Sequence, residues 1–221
     1  MTASTLYKEW MKMRLYWGIA FACNILVFIY IYIKTRHMFV LEHAEMVWYQ
    51  VIHIHTLFYE QIKYLPLATG IVLGAAQFIP EIRNRRLRLS LHLPVRPHVL
   101  VLSYLLIGLV AVGVICFVDI FLLYLIAGIF FPVEVVVRAM LTIFPWLLAG
   151  MVSFLGTSLV VLEPEWLRKI FCLAVSCGFV WLFFQSNIPG SYTTVIGKLS
   201  LASLFFIPAI ALSVFRFRNR G

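Results

Sequence analysis

Charged residues are scarce in this chain, and acidic residues are the rarest of them. Only 12% of the sequence is charged, with nine Asp and Glu against eighteen Lys and Arg, while 63% is hydrophobic. Soluble domains average about 25% charged and about 45–50% apolar residues. A water-soluble fold of 221 residues could not bury so much apolar surface. The composition therefore excludes a soluble fold and predicts an integral membrane protein.

Signatures of catalysis and of cofactor binding are also missing. The sequence has no phosphate-binding Gly-Lys-Ser/Thr loop, no His-Glu-x-x-His and no Gly-x-Ser-x-Gly. Its four cysteines match no zinc or redox spacing and fall inside apolar runs, as small buried hydrophobes do: Cys23, Cys116, Cys172 and Cys177. We therefore expect a chain that is not an enzyme and that binds no metal, ATP or other cofactor by itself.

Continuous apolar runs indicate membrane-spanning helices, because β-barrel strands would alternate apolar and polar residues. A helix needs about 20 apolar residues to cross a bilayer. We predict one all-α membrane domain over 1–221, with six transmembrane helices at about 16–33, 64–79, 99–131, 139–162, 170–184 and 199–215. The third run would measure about 50 Å as a straight helix, so the sequence leaves open whether it is one bent helix.

The basic residues predict that both termini are cytoplasmic. With six spans, most of the eighteen Lys and Arg fall in cytoplasmic segments, in agreement with the positive-inside rule. The outer segments keep Lys34, Arg36, Lys63, Arg138 and Lys198. Because the basic residues flank apolar segments, they do not indicate nucleic-acid binding, and we expect part of them to contact anionic lipid headgroups.

Residues 5–14 are predicted to form an interfacial amphipathic helix before the first span. Thr5 is a suitable N-cap, and one stripe of the helix is apolar: Leu6, Trp10, Met13 and Trp17. Such a helix lies flat on the inner leaflet with tryptophan at headgroup depth. The alternative is an irregular start to the first span.

Small and polar residues inside the spans suggest packing and functional positions. Small-residue pairs let helices approach closely, either within one subunit or between two copies: Gly70 and Gly74, and Gly150 and Gly156. Asp119 is the only acidic residue deep in a long apolar run, so it is a candidate for a translocation or proton-relay role unless it lies at the water interface. His53 and His55 could bind metal, but their spacing matches no compact motif, so polar loop residues are the preferred interpretation.

The most informative segment is the basic stretch 80–98, which lies between the second and third spans. It contains an acid, a series of arginines and a Leu-Pro element, namely Glu81, Arg83, Arg85, Arg86, Arg88, Leu93 and Pro94. Its leucines alternate with period two, which favours a strand. A lone strand would lack a partner, so we expect a short helix over 81–93 that ends near Pro94.

This segment resembles the coupling loop of the permease subunits of type-2 ABC exporters. In that family a comparable loop follows the second span and commonly contains a Leu-Pro-Val or Leu-Pro-Leu element. The resemblance implies that 80–98 is a cytoplasmic coupling loop and that the seven residues named above contact a separate ATP-binding cassette subunit. It further implies that ATP and Mg are bound by that partner, that a second permease copy completes a homo- or heterodimer, and that the chain resides in a bacterial inner membrane.

Two other functions fit the sequence. The first is a membrane-embedded scaffold or sensor that recruits a soluble partner through the same basic loop. The second is an intramembrane enzyme that acts on lipids through Asp119 or the outer histidines, which the missing catalytic motifs disfavour. Lipids, peptides and hydrophobic small molecules all remain candidate cargo for an exporter.

Overall fold

The computed structural model describes residues 2–41, 44–52, 56–83, 97–186, 188 and 191–219. Eight α-helices account for nearly all of this part of the chain: α1 Thr2–Leu41, α2 Ala44–Ile52, α3 Leu65–Arg83, α4 Pro97–Phe130, α5 Val133–Leu162, α6 Trp166–Trp181, α7 Ile196–Ser203 and α8 Phe206–Asn219. Two short 3-10 turns, Glu60–Ile62 and Leu182–Phe184, precede α3 and follow α6. No strand occurs among the described residues.

Within the described ranges, six helical stretches are long and apolar enough to cross a membrane: Glu9–Leu41, Glu60–Arg83, Val101–Phe130, Val133–Leu162, Trp166–Phe184 and Ile196–Arg216. They coincide with the six apolar runs of the sequence. The prediction of an all-α, multi-pass membrane protein with six spans is confirmed.

The long third run is a single helix. Helix α4 covers 34 residues from Pro97 to Phe130, which corresponds to about 51 Å. Pro97 suits its first turn because a proline there loses no intrahelical hydrogen bond. Pro132 has an extended backbone and directly precedes α5, so the connection between the two helices is short.

The N-terminal segment differs from the expected separate interfacial helix. Helix α1 continues through 40 residues from Thr2 to Leu41, so residues 5–14 belong to the same helix as the first span. The physical reason is that α1 contains no proline, and Gly18 is its single glycine. Met13, on the apolar stripe, is fully buried, and the Trp17 indole N–H donates to the Ala111 carbonyl at 3.0 Å. The stripe therefore packs partly against the protein.

Contacts between helices define their directions. Helices α3 and α5 run parallel, because Pro66 contacts Gly150 near the start of α3, and Gly74 contacts Thr157 further along both helices. Helix α1 is antiparallel to α3, because Asn24 contacts Thr69 while Lys12 contacts Glu81. Helix α6 is antiparallel to α5 and contacts it at Gly156 and Ser176. Helix α8 is parallel to α5, and Ser213 of α8 contacts Glu163 at the end of α5.

These directions give the bundle two distinct ends. The Glu81 end, where α3, α5 and α8 finish and where α1, α4 and α6 begin, carries Lys12, Arg14, Arg83, Arg168, Lys169 and Arg216. The opposite end, which we name the Lys63 end, carries Lys34, Arg36, Lys63, Arg138 and Lys198. The basic residues that the sequence assigns to one side of a membrane therefore share one end of the bundle.

Candidate coupling site at the Glu81 end

The last turn of α3 leads directly into the basic segment. Helix α3 contains Pro80 and ends at Arg83. Because proline has no N–H, the carbonyl of Ala76 lacks its usual helical partner, which weakens the last turn. Glu81 nevertheless has no exposed surface. A buried carboxylate in a helix end of this kind requires a counter-charge.

Lys12 of α1 supplies that counter-charge. Its ammonium group donates to the Glu9 Oε1 at 2.6 Å and also to the Glu81 Oε1. Both carboxylates are fully buried, and the Lys12 side chain is 13% exposed. The cluster of Glu9, Lys12 and Glu81 therefore joins the beginning of α1 to the end of α3.

This cluster is stable only as a unit. One cation and two carboxylates carry a net charge of −1, and the second oxygen of Glu81 has no hydrogen-bond partner in the described part of the chain. The attraction within the cluster offsets the cost of removing the charges from water. Loss of Lys12 would leave two like charges buried next to each other.

A third buried carboxylate, Glu163, lies at the same end. Glu163 follows α5 directly and is 1% exposed. The Ser213 hydroxyl donates to it at 2.6 Å, and Arg216 lies 3.9 Å away. Helix α8 is thereby joined to the end of α5. In the sequence, the only signal for Glu163 is its position as an acid directly after a span. Its burial is not predictable from there, because its partner Ser213 lies 50 residues away.

The predicted coupling residues are only partly within the described ranges. Glu81 lies in the buried cluster, and Arg83 is exposed at the end of α3. The other members lie outside the described residues: Arg85, Arg86, Arg88, Leu93 and Pro94. His53 and His55 lie outside them too. The ranges that are described contain no group of three or more His, Cys, Asp or Glu side chains that could hold a metal ion.

The four small-residue positions lie at contacts within the chain. A Cβ atom at Gly70 would overlap the Gly150 carbonyl oxygen and the Ser153 hydroxyl. At Gly150 it would lie 2.7 Å from the Pro66 carbonyl oxygen, and at Gly74 it would lie 3.0 Å from Thr157. The fourth, Gly156, faces Ser176 of α6. Helices α3 and α5 therefore meet at close backbone distance, as small residues permit.

Asp119 is buried inside the bundle and not at a water-exposed surface. Its exposure is 1%, and within the described part of the chain neither carboxylate oxygen has a hydrogen-bond partner. An ionised carboxylate in this position would be costly. The side chain lies in α4, away from the segment that the sequence assigns to coupling.

No protein-family model, curated protein or solved structure matches this chain. The inference of function therefore depends on the geometry of the Glu81 end and on the sequence of segment 80–98.

Proposed function

We propose that this chain is the membrane-spanning permease subunit of an ATP-driven ABC exporter. A separate subunit would hydrolyse ATP, and this chain would convert the resulting motion into export of a substrate. The observation that carries the proposal is the Lys12–Glu81 ion pair, because it lies directly before the basic segment and joins two spanning helices.

The contacts around α3 provide a route for mechanical force. A soluble subunit that moves residues 84–96 would act on α3 at Arg83, its last residue. Through the ion pair of Glu81 with Lys12, a displacement of α3 would also move α1. The close contact at Gly70 and Gly150 shares it with α5. Three spans would then move together, since packed helices behave as rigid elements.

The charge of the segment fits a docking role. Arg83, Arg85, Arg86 and Arg88 put four positive charges within six residues. An acidic surface on a soluble subunit would attract such a segment, fix its register and speed its association. ATP and Mg would be bound by that subunit.

Copurification tests the proposal. The chain is expressed with a candidate ATP-binding subunit, such as the product of a neighbouring gene, and the complex is isolated. Reversal of the four arginines to glutamate should abolish both copurification and coupled ATPase activity. The matched control reverses four cations at the Lys63 end, namely Lys34, Arg36, Arg138 and Lys198, and should leave both intact.

Two results would count against the proposal. Assembly and coupled ATPase activity that survive reversal of the four arginines would exclude them from docking. Capture of a soluble partner that has no ATPase activity, dependent on the same arginines, would identify a membrane scaffold or sensor.

A further inference from the structure

A furrow runs along one side of the bundle, between α3 and α6, with α5 as its floor. Its larger part has a volume of about 500 Å³ and is lined by residues such as Ile71, Thr157 and Leu173. Its smaller part, about 310 Å³, lies towards the Glu81 end and is lined by residues including Arg83 and Lys169. Val160 lines both parts, so the two are adjacent along α5.

The larger part is apolar and contains small residues on its floor. Gly156 and Ser153 of α5 are small residues on the floor of the furrow, so they leave space above it. Near the Lys63 end, the rings of Tyr64 and Phe184 stack with their centroids 5.2 Å apart. The helices that line this surface are long and apolar enough to span the hydrocarbon region. An apolar cleft that opens sideways there suits an acyl chain.

The smaller part ends in two cations, Arg83 and Lys169, that form no ion pair with the described residues. Three other cations at this end are paired, namely Lys12 with Glu9 and Glu81, Arg168 with Glu165, and Arg216 with Glu163, while Arg14 of α1 does not line the furrow. Among the described residues, no carboxylate lies within ion-pair distance of Arg83 or Lys169. The furrow therefore combines an apolar trough with a cationic mouth.

The dimensions match one leaflet. Ile71 and Arg83 are separated along α3 by about 18 Å, while half of a hydrocarbon core of about 30 Å is about 15 Å. Basic pockets between spanning helices bind acidic lipid headgroups. A second protein helix that filled the trough would have to place carboxylates next to both cations, because covering them unpaired is unfavourable.

We propose that this furrow binds an anionic phospholipid from the leaflet at the Glu81 end. The phosphate contacts Arg83 and Lys169, and one acyl chain lies along Ile71, Thr157 and Leu173. This assignment does not depend on the ATP-driven function: it shares Arg83 with the proposed docking segment, but its other contacts lie inside the furrow and its ligand is a lipid.

Native mass spectrometry of the full chain in detergent tests the headgroup contact. Phosphatidylglycerol is compared with phosphatidylcholine that has the same acyl chains, and phosphatidylglycerol should bind more tightly. Each cation near a membrane surface contributes about five-fold in affinity, so the variant R83Q/K169Q should bind phosphatidylglycerol about 25-fold more weakly. The control R36Q/K198Q, with the same change in net charge at the Lys63 end, should bind it like the wild type.

A second pair of variants tests the acyl-chain contact. Ile71→Trp fills the trough from α3, and Leu173→Trp fills it from α6, so each should weaken binding of both lipids. Wild-type affinity in R83Q/K169Q would overturn the assignment, as would equal binding of glycerol phosphate, which lacks chains. A change of oligomeric state in both tryptophan variants with unchanged lipid binding would also overturn it and would identify an interface between two copies.

Discussion

Lys12 and Glu81 lie 69 residues apart in the sequence and form an ion pair inside the bundle. The pair connects the first helix to the last turn before the basic segment. Because Glu81 is fully buried, this contact orders the end of α3 in a way that a surface salt bridge would not. Stability and any transmitted motion at this end therefore depend on the same few atoms.

Replacement of Lys12 by methionine should destabilise the protein strongly. The change removes the ion pair of the fully buried Glu81, and breaking a buried ion pair in this way costs roughly 3–5 kcal/mol. Reversible unfolding in mixed micelles, followed by circular dichroism, measures the free energy. Lys34→Met is the control at the Lys63 end of the same helix, and an equal loss in both variants would contradict the special role of Lys12.

Glu81→Gln should separate stability from coupling. The Lys12–Glu9 pair at 2.6 Å remains and the cluster becomes neutral, so the loss of stability should be smaller than in Lys12→Met. If the ion pair transmits force, transport per ATP hydrolysed should fall while the complex still assembles. Transport and ATPase activity are measured together in proteoliposomes, and unchanged transport per ATP would remove Glu81 from the force route.

Gly70→Ala should weaken the contact between α3 and α5. The added Cβ would overlap the Gly150 carbonyl oxygen and the Ser153 hydroxyl, and such overpacking typically costs about 1–3 kcal/mol. Gly178→Ala is the matched control, because a Cβ there meets nothing within 4 Å. Alanine is also about 1 kcal/mol more favourable than glycine in a helix, so the two variants should change the free energy of unfolding in opposite directions.

Asp119→Asn should leave stability unchanged or raise it. The carboxylate oxygens have no hydrogen-bond partner in the described part of the chain, so no contact is lost and a costly buried acid is removed. Unfolding in micelles measures the effect, with Asp119→Leu as the apolar comparison. A destabilisation above about 2 kcal/mol in both variants would show that the carboxylate has a structural partner. Preserved stability with reduced transport would support the translocation role.

The sequence predicts the spans well because one physical requirement, the thickness of hydrocarbon, determines their length. It predicts helix ends less well. The run 99–131 is apolar on every side, so no periodicity shows whether it is one helix. Helix α1 continues through residues 5–14, whose apolar stripe predicts a separate interfacial helix. Nothing in the sequence pairs Lys12 with Glu81, because the two residues are 69 positions apart.

The candidate site was only partly visible in the sequence. Segment 80–98 was identified from its composition and order, and the docking helix over 81–93 stays a prediction because residues 84–96 lie outside the described ranges. The buried carboxylates Glu9 and Glu163 were not selected, because burial of a charge depends on contacts between helices. The sequence predicts that the four glycines are packing positions. It does not predict which residues they contact, because those contacts depend on the directions of α3, α5 and α6.

The parallel arrangement of α3 and α5 has a consequence for biogenesis. Two parallel spans cannot form a hairpin of consecutive helices, so the polypeptide must cross the bilayer once more, as α4, before Gly150 can reach Gly70. The tightest backbone approach described above is therefore made late during insertion, after the fourth crossing has left the ribosome. Until then, the small-residue surface of α3 lacks the helix that covers it in the folded chain.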